Sequence, residues 1–438
     1  MALTANGLGS GLDINGLVGQ LMSLERRPLA GLATKEASYQ TKLSAFGQLK
    51  NVLSALQTAA NALKDAAKFS ATKATVSADA GFTATSTASA AKGSYSVVVN
   101  TLATAQRVAT DKNTTFPPTS GQLSVTIGAS TKTLDFAGGT IEQLRDAING
   151  GDLGISASVI DNGTAKQLVL TGKNTGTANA FSVSGLGIET GLYQIQPAQN
   201  ATLTVDGISI TRASNTIDDV IEGVTLTLTK ETATAGTVTV AEDTTGARSA
   251  IEGFVKAYND TNKAIKDLTA FNAETRKAST LTGDSTARSI QTDLRNLVGD
   301  SISGLSGVSR LSDIGVSFKA DGTLTIDSTK LDAALKDPAK NIGSYFAGVS
   351  GTTGFAEAIS SKLENYIRSD GMLAGRTDGI NASIKALEKQ REALNTRLEK
   401  FETRYRAQFT ALDSMIANLT QTSNFLTQQL ANLPKIGE

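Results

Sequence analysis

Apolar residues repeat along this chain with two different periods. From Ile380 a ladder of steps of three and four runs through Ile384, Leu387, Arg391, Leu394, Leu398, Phe401, Tyr405, Gln408, Leu412, Met415, Leu419, Thr422, Leu426, Gln429 and Leu433. Most rungs are apolar, no Gly or Pro interrupts them, and Gly379 and Pro434 stand just outside. A helix of that length reaches roughly 80 Å at ~1.5 Å per residue. The repeat is that of a coiled coil. A second amphipathic helix is predicted over 39–67, where Tyr39, Leu43, Phe46, Leu53, Leu56, Ala60, Leu63 and Ala67 recur at helical spacing. For this shorter stripe the simpler account is one face of a core. For the longer one, the length and the absence of breakers favour a helical seam, because ordinary globular helices seldom exceed ~25 residues.

Between these segments the period drops to two. Leu123-Ser124-Val125-Thr126-Ile127, Val224-Thr225-Leu226-Thr227-Leu228 and Thr237-Val238-Thr239-Val240 alternate apolar with polar, the pattern of half-buried strands. Asn162-Gly163 and Asp206-Gly207 separate strand-like runs and are suited to positive φ at both turn positions, which predicts two hairpins. One short helix, Ile141 to Ile148, interrupts the strands, with Thr140 as N-cap and Asn149-Gly150-Gly151 as its end. Residues 101–250 hold 28 of the 56 Thr and carry 9 Lys+Arg against 14 Asp+Glu, a local balance of −5. β-Branched residues suit a pleated surface, so the middle reads as β-structure, and 101–245 is expected to fold by itself.

Charge adds a boundary that the apolar ladder does not show. Residues 385–406 carry seven Lys/Arg and four Glu, whereas 407–434 contain one charged residue, Asp413. The first 24 residues resemble that tail, with Asp13 as their one charge and Ile14, Leu17, Leu21 and Leu24 at helical spacing. Neither stripe is covered by its own segment, so the two are expected to pair with each other or with neighbouring subunits. A disordered tail would lack this periodicity.

Composition removes much chemistry. The chain has 438 residues, 41 Lys+Arg against 41 Asp+Glu, and no Cys, His or Trp. A Ser-His-Asp or Cys-His system, a zinc, haem or iron–sulfur site with the usual ligands, and a disulfide are all excluded. Zero net charge argues against nucleic acid, and no apolar run approaches the roughly 18 residues of a membrane span. The opening stretch has no basic region followed by an apolar core, so it reads as no cleaved secretory signal. Thr171-Gly172-Lys173-Asn174 departs from a phosphate-binding loop at two positions. Gly7-Leu8-Gly9-Ser10-Gly11 lacks dinucleotide spacing, and Ser70-Ala71-Thr72-Lys73 lacks companion motifs. Asp218 and Asp219 beside Glu222 read as a solvated helix start. No catalytic, metal or cofactor residue is assigned, and no cofactor is expected.

The termini carry a resemblance. Gly7-Leu-Gly-Ser-Gly-Leu-Asp-Ile-Asn-Gly-Leu-Val-Gly-Gln-Leu-Met22, continued by Glu25-Arg-Arg-Pro-Leu29, resembles the N-terminus of bacterial flagellar filament cap proteins, the hook-associated protein 2 family. Gly93–Gln106 resembles the strand that closes the family's N-terminal region. Phe254-Val-Lys-Ala-Tyr-Asn259, Leu281-Thr-Gly-Asp-Ser285, Asp321-Gly-Thr-Leu-Thr-Ile-Asp327 and Arg376-Thr-Asp-Gly-Ile380 resemble its C-terminal region. Residues 140–184 are similar to an insert of flagellins and hook-associated proteins.

The resemblance implies an α+β multidomain chain, with N- and C-terminal helices paired as a coiled-coil leg and helical domain, and central β-rich head domains. Its boundaries are 1–40 for the N-terminal leg, 41–80 and 246–395 for the helical domain, 81–245 for the head region, and 396–438 for the C-terminal leg. It implies a non-enzymatic cap, a homo-oligomer usually described as pentameric, that is exported by the flagellar type III system and sits outside the cell at the filament tip. Its partners there are flagellin and hook-filament junction proteins, with an export chaperone and, for adhesion, a host mucin or glycan. Ile14, Leu17, Leu21, Leu24, Leu398, Tyr405, Leu412, Met415, Leu419 and Leu426 are the expected oligomer and filament contacts. The alternatives are another flagellar axial protein or a surface adhesin, and against the latter the middle block offers few aromatics, Phe116, Phe136, Phe181 and Tyr193.

Overall fold

The structure is a computed structural model that describes residues 13–111 and 119–431. Two compact units are present. One joins residues 1–64, 250–334 and 339–438; the other holds 65–249 with 335–338.

The first unit is mainly helical. Its elements are α1 (Ile14–Glu25), α2 (Arg27–Ala62), α4 (Thr245–Thr269), α5 (Ser285–Gly299), α6 (Ser328–Leu335), α7 (Ile342–Ala347), α8 (Phe355–Ile367) and α9 (Met372–Ala431), while α3 (Ile141–Gly150) belongs to the second unit. Phe46, Leu49, Leu53, Leu56 and Ala60 form the buried row of α2, which packs on α8 and α9. Aromatic rings knit the centre: Phe355 stacks on Tyr345 at 5.5 Å and meets Phe254 and Phe346 edge-on.

Two helix boundaries differ from the sequence expectation. α2 begins twelve residues earlier than Tyr39, with Pro28 in its first turn, and it ends at Ala62. Its end precedes Asp65, whose carboxylate accepts the Ala67 amide and starts a separate 3-10 turn, Ala66–Phe69. α9 starts at Met372, so Gly379 lies inside it. An interior glycine costs only about 1 kcal/mol. Burial of Leu373 and Ile380, and the Arg376 bridge to the nearly enclosed Asp284 at 2.9 Å, hold the helix through that point.

Several motifs behind the resemblance are brackets of this bundle. β18 (Val316–Phe318) and β19 (Leu324–Ile326) form a hairpin. Asn259 on α4 treats Leu324 as a strand partner: its amide donates to the Leu324 carbonyl at 2.9 Å and accepts the Leu324 N–H at 2.7 Å. Asp321 ties the hairpin turn through Thr323, and Asp284 caps α5 through Thr286 and Ala287. Two further short hairpins, β16 (Phe271–Asn272) with β17 (Lys277–Ala278) and β20 (Gly348–Val349) with β21 (Thr352–Thr353), join helices.

The second unit has two sheet cores. In the first, β1 (Thr72–Val76), β15 (Gly236–Glu242), β3 (Gly93–Thr101), β11 (Ala201–Val205) and β12 (Ile208–Arg212) lie side by side in that order. They share a core with β13 (Thr216–Ile221), β14 (Val224–Leu228) and β2 (Phe82–Ser86). In the second, β10 (Tyr193–Gln196), β4 (Arg107–Ala109), β8 (Lys166–Gly172) and β7 (Ile155–Asp161) form one sheet. β6 (Ser130–Phe136), β5 (Gly121–Ile127) and β9 (Phe181–Ser184) form another, and the helix α3 (Ile141–Gly150) packs with them. The alternating rows fall as the period of two requires, with Leu123 and Val125, Val224, Leu226 and Leu228, and Val238 and Val240 all buried. Thr140 and Gln143 form a capping box on α3.

Three expectations change here. The Asp206-Gly207 turn has two residues, both at positive φ, but the Asn162 turn spans four, because Asn162 accepts the amides of Thr164 and Ala165. Asp218 and Asp219 lie on a strand, not a helix start; Asp219 bridges Arg212 on the neighbouring hairpin at 3.0 Å. Residues 101–245 are not self-contained either. β3 sits in the centre of its sheet, hydrogen-bonded to β15 and β11, and β1 and β2 also precede residue 101.

Candidate assembly surface

The two ends of the chain meet on α9. Asp13 caps α1 by accepting the Gly16 amide at 2.8 Å, which lets a 12-residue segment with almost no charge start a helix. Its buried row is Ile14, Val18 and Met22, a period-four line beside the one read from sequence. These three pack with Leu398 and with the half-buried Leu29, Leu394, Phe401, Tyr405 and Phe409. Polar contacts surround this cluster. Arg406 donates to Asn15 at 2.8 Å and to Glu402 at 2.9 Å, Tyr405 reaches Glu25 at 3.5 Å, and Arg391 bridges Glu36 at 3.1 Å.

The expected contact residues therefore divide. Ile14 and Leu398 are buried within the single chain, and Tyr405 is half-covered there. Leu17, Leu21 and Leu24 point away from the cluster and are exposed. Leu412, Met415, Leu419 and Leu426 are exposed as well, in a run that Phe425 and Leu430 extend. Val18, Met22 and Phe409 were missed as seam residues. The signal was available, since Val18 and Met22 continue from Ile14 in steps of four and Phe409 is one position from the polar rung Gln408.

The sequence segments that mimic catalytic loops are built into the folds. The amide of Gly172 donates to Gln106 and that of Lys173 to Gly154, so neither is presented to an anion. Ser70 ends the 3-10 turn and Thr72 begins β1, while Gly7–Gly11 and Phe116 lie outside the described residues. Among the described residues no helix is long and apolar enough to cross a membrane, and no group of acidic side chains is placed to hold a metal ion.

A protein whose ends close on each other as a leg, with its sheets carried in the intervening sequence, has the layout of an assembly component. Comparison gives that class its family. The family model described as flagellar hook-associated protein 2 N-terminus matches residues 10–106, the one described as flagellar hook-associated protein 2 C-terminus matches 198–421, and a flagellin hook IN motif matches 122–174. The chain is 34% identical to flagellar hook-associated protein 2 of Escherichia coli K12 over 98% of both chains. It is 35% identical to that of Salmonella typhimurium LT2 over 99% of both. A crystal structure of the flagellar cap protein FliD D1-D2-D3 domains from Escherichia coli superposes with a TM-score of 0.65 at 36% identity, covering 77% of this chain and 99% of that one. The chain belongs to the flagellar hook-associated protein 2 family, a family of flagellar cap proteins.

Proposed function

We propose that this protein is a non-enzymatic cap that self-assembles at the tip of a bacterial flagellar filament, outside the cell, and promotes insertion and folding of flagellin there. Residues 1–40 and 396–438 act as its leg, and export proceeds through the flagellar type III system. The observation that carries this reading is the uncovered apolar stripe on α9, from Leu412 to Leu430, together with Leu17, Leu21 and Leu24 on α1. Contiguous apolar surface of this kind marks an interaction site. A stripe with almost no charge suits permanent packing among other low-charge helices, because obligate interfaces are more apolar than transient ones.

The test adds purified protein from outside to cells that lack their own cap and shed flagellin monomers. Full-length protein is expected to restore filaments, and protein lacking 1–24 is expected to fail while its sheet unit melts normally. Equal restoration by both would remove the leg from the mechanism.

A further inference from the structure

α9 carries its charge asymmetrically. Its buried side is marked by Ile380, Ile384, Leu387 and Leu398 and by the Arg391–Glu36 bridge. At about 100° per residue, Glu388, Glu392 and Glu399 lie some 75° to 115° to one side of that direction, and Arg397, Lys400 and Arg404 about 105° to 165° to the other. α2 runs antiparallel alongside, since Glu36 meets Arg391 while Phe46 lies under Arg376. That orientation places Lys35 on the cationic flank, level with the glutamates of the other flank. All seven side chains are exposed, and none forms an ion pair among the described residues. Arg397 and Arg404 both lie over the Phe401 ring, 4.9 and 4.8 Å from its centre, which restrains their guanidinium groups while leaving the charge unmatched. Three cations fall on the anionic side, Lys389 among them at its outer edge, nearly opposite the buried direction. Arg406 is bonded to Glu402, and Lys385 lies at the outer margin.

One molecule that presents an anionic flank and a cationic flank at the same height is complementary to a copy of itself placed alongside in the same direction. We infer that the legs of adjacent copies pack side by side, with the Glu388, Glu392 and Glu399 flank of one against the Lys35, Arg397, Lys400 and Arg404 flank of the next. This contact is heterologous, using two different surfaces on every copy, and such contacts close into a ring when the rotation between copies divides a full turn. A different partner would have to match only one flank and would leave the other unexplained. The inference rests on the reading of the chain as a self-assembling cap and assigns it the lateral contact. The apolar stripe beyond Leu412 supplies adhesion, and the charges supply register and direction.

Two charge-reversed full-length chains test it, one with Lys35→Glu and Lys400→Glu, the other with Glu392→Lys and Glu399→Lys. Both avoid the arginines that stack on Phe401. Each alone is expected to melt like the unchanged chain and to need more than about tenfold higher concentration for half-assembly. An equimolar mixture is expected to assemble at a lower concentration than either variant alone, because every contact between unlike copies again sets acid against base, even where an odd ring keeps one mismatched contact. Assembly of either variant alone at the normal concentration, or a mixture no better than its components, overturns the flank pairing. If the unchanged chain itself forms no closed assembly, the cap reading falls and takes this inference with it. Normal assembly of the unchanged chain and both variants removes the flank pairing alone.

Discussion

Leu203 and Leu419 are the same residue on regular elements of one chain, yet the first is fully buried and the second is 59% exposed. On β11 the alternating row Ala201, Leu203 and Val205 is covered by side chains from β13, β14 and β2, all within residues 65–249. On α9 the ladder of threes and fours continues unchanged past Phe409, the last residue of the α1 cluster, but the covering stops. The sequence period is the same on both sides of that point. What changes is charge, which falls away after Arg406. Periodicity therefore marks an apolar face without saying what covers it: α1 covers that face as far as Phe409, and beyond it Leu412, Met415, Leu419 and Leu426 are exposed in the single chain.

The largest effect that tests this contrast is the folding of a fragment. Residues 65–249 are expected to melt in a cooperative transition, because both sheet cores close within them. A fragment of 101–245 is expected to lose the five-stranded sheet, since it lacks β1, β2 and the central strand β3. Calorimetry of the two fragments decides it. Cooperative melting of the shorter one with intact strand content would show that β3 is dispensable and the cores less closed than argued.

Next in size is the leucine pair itself. Leu203→Ala is expected to destabilise the sheet unit by about 2 to 5 kcal/mol, through lost burial and a residual cavity. Leu419→Ala in the unassembled chain is expected to change stability by less than about 0.5 kcal/mol. Leu419→Asp is expected to abolish assembly, because packing would enclose an unpaired carboxylate. Denaturant midpoints and particle size measure the three. Comparable losses for the two alanine variants would mean that the distal stripe is already covered in the single chain.

A smaller effect comes from brackets that both units share. Asn259 holds Leu324 in the helical unit, and Asn215 holds Ala103 in the sheet unit, each by accepting an N–H and donating to the carbonyl of the same residue. Replacing either Asn with Ala leaves two backbone groups without partners and is expected to cost about 1 to 3 kcal/mol. Urea unfolding of each variant gives the value. A loss confined to one unit would show that water replaces the bracket in the other.

These particulars also show what was legible in the sequence. The strands, the α3 cap and the long C-terminal helix follow from period and capping chemistry, which are local properties; the partner of the first segment did not, since α1 packs on the charged part of α9 around Leu394, Leu398 and Tyr405 and not on the low-charge stripe beyond Leu412. The start of α9 was hidden because Gly375 and Gly379 look like terminators, and what overrides them, the burial of Leu373 and Ile380 and the Asp284–Arg376 bridge, is supplied by residues distant in sequence. The strand identity of Asp218 and Asp219 was hidden because it is set by pairing of β13 with β14, where Ile217 lies opposite Leu226 and Ile221 opposite Val224, and not by the two carboxylates themselves. The split of the leg residues into buried and exposed was half legible. α1 is apolar on two adjoining rows, and the choice between Ile14-Val18-Met22 and Leu17-Leu21-Leu24 is made by where α9 lies.

The smallest expected effect is on acid sensitivity, and it separates the two units once more. In the helical unit the Tyr366 hydroxyl donates to Asp293 at 2.6 Å and Lys362 approaches the same oxygen at 3.0 Å, which holds that carboxyl below its ordinary range. In the sheet unit the hydrogen bond from Lys166, with help from the first turn of α3, lowers Glu142 to about 2. Both folded-state values are depressed, so each contact stabilises fully above the ordinary carboxylate value and loses its contribution as pH falls through the lowered one. For Glu142 that window runs from 4.5 down to about 2. Glu142 is a surface pair and is screened by salt, whereas Asp293 is tied to the phenol of the buried Tyr366. Asp293→Asn is therefore expected to flatten the acid limb of the helical unit's melting curve even in high salt, and Glu142→Gln to flatten that of the sheet unit only in low salt. Melting followed from pH 6 to 2 at two salt concentrations measures both slopes, and an acid limb unchanged by Asp293→Asn would assign acid loss in the helical unit to other carboxylates.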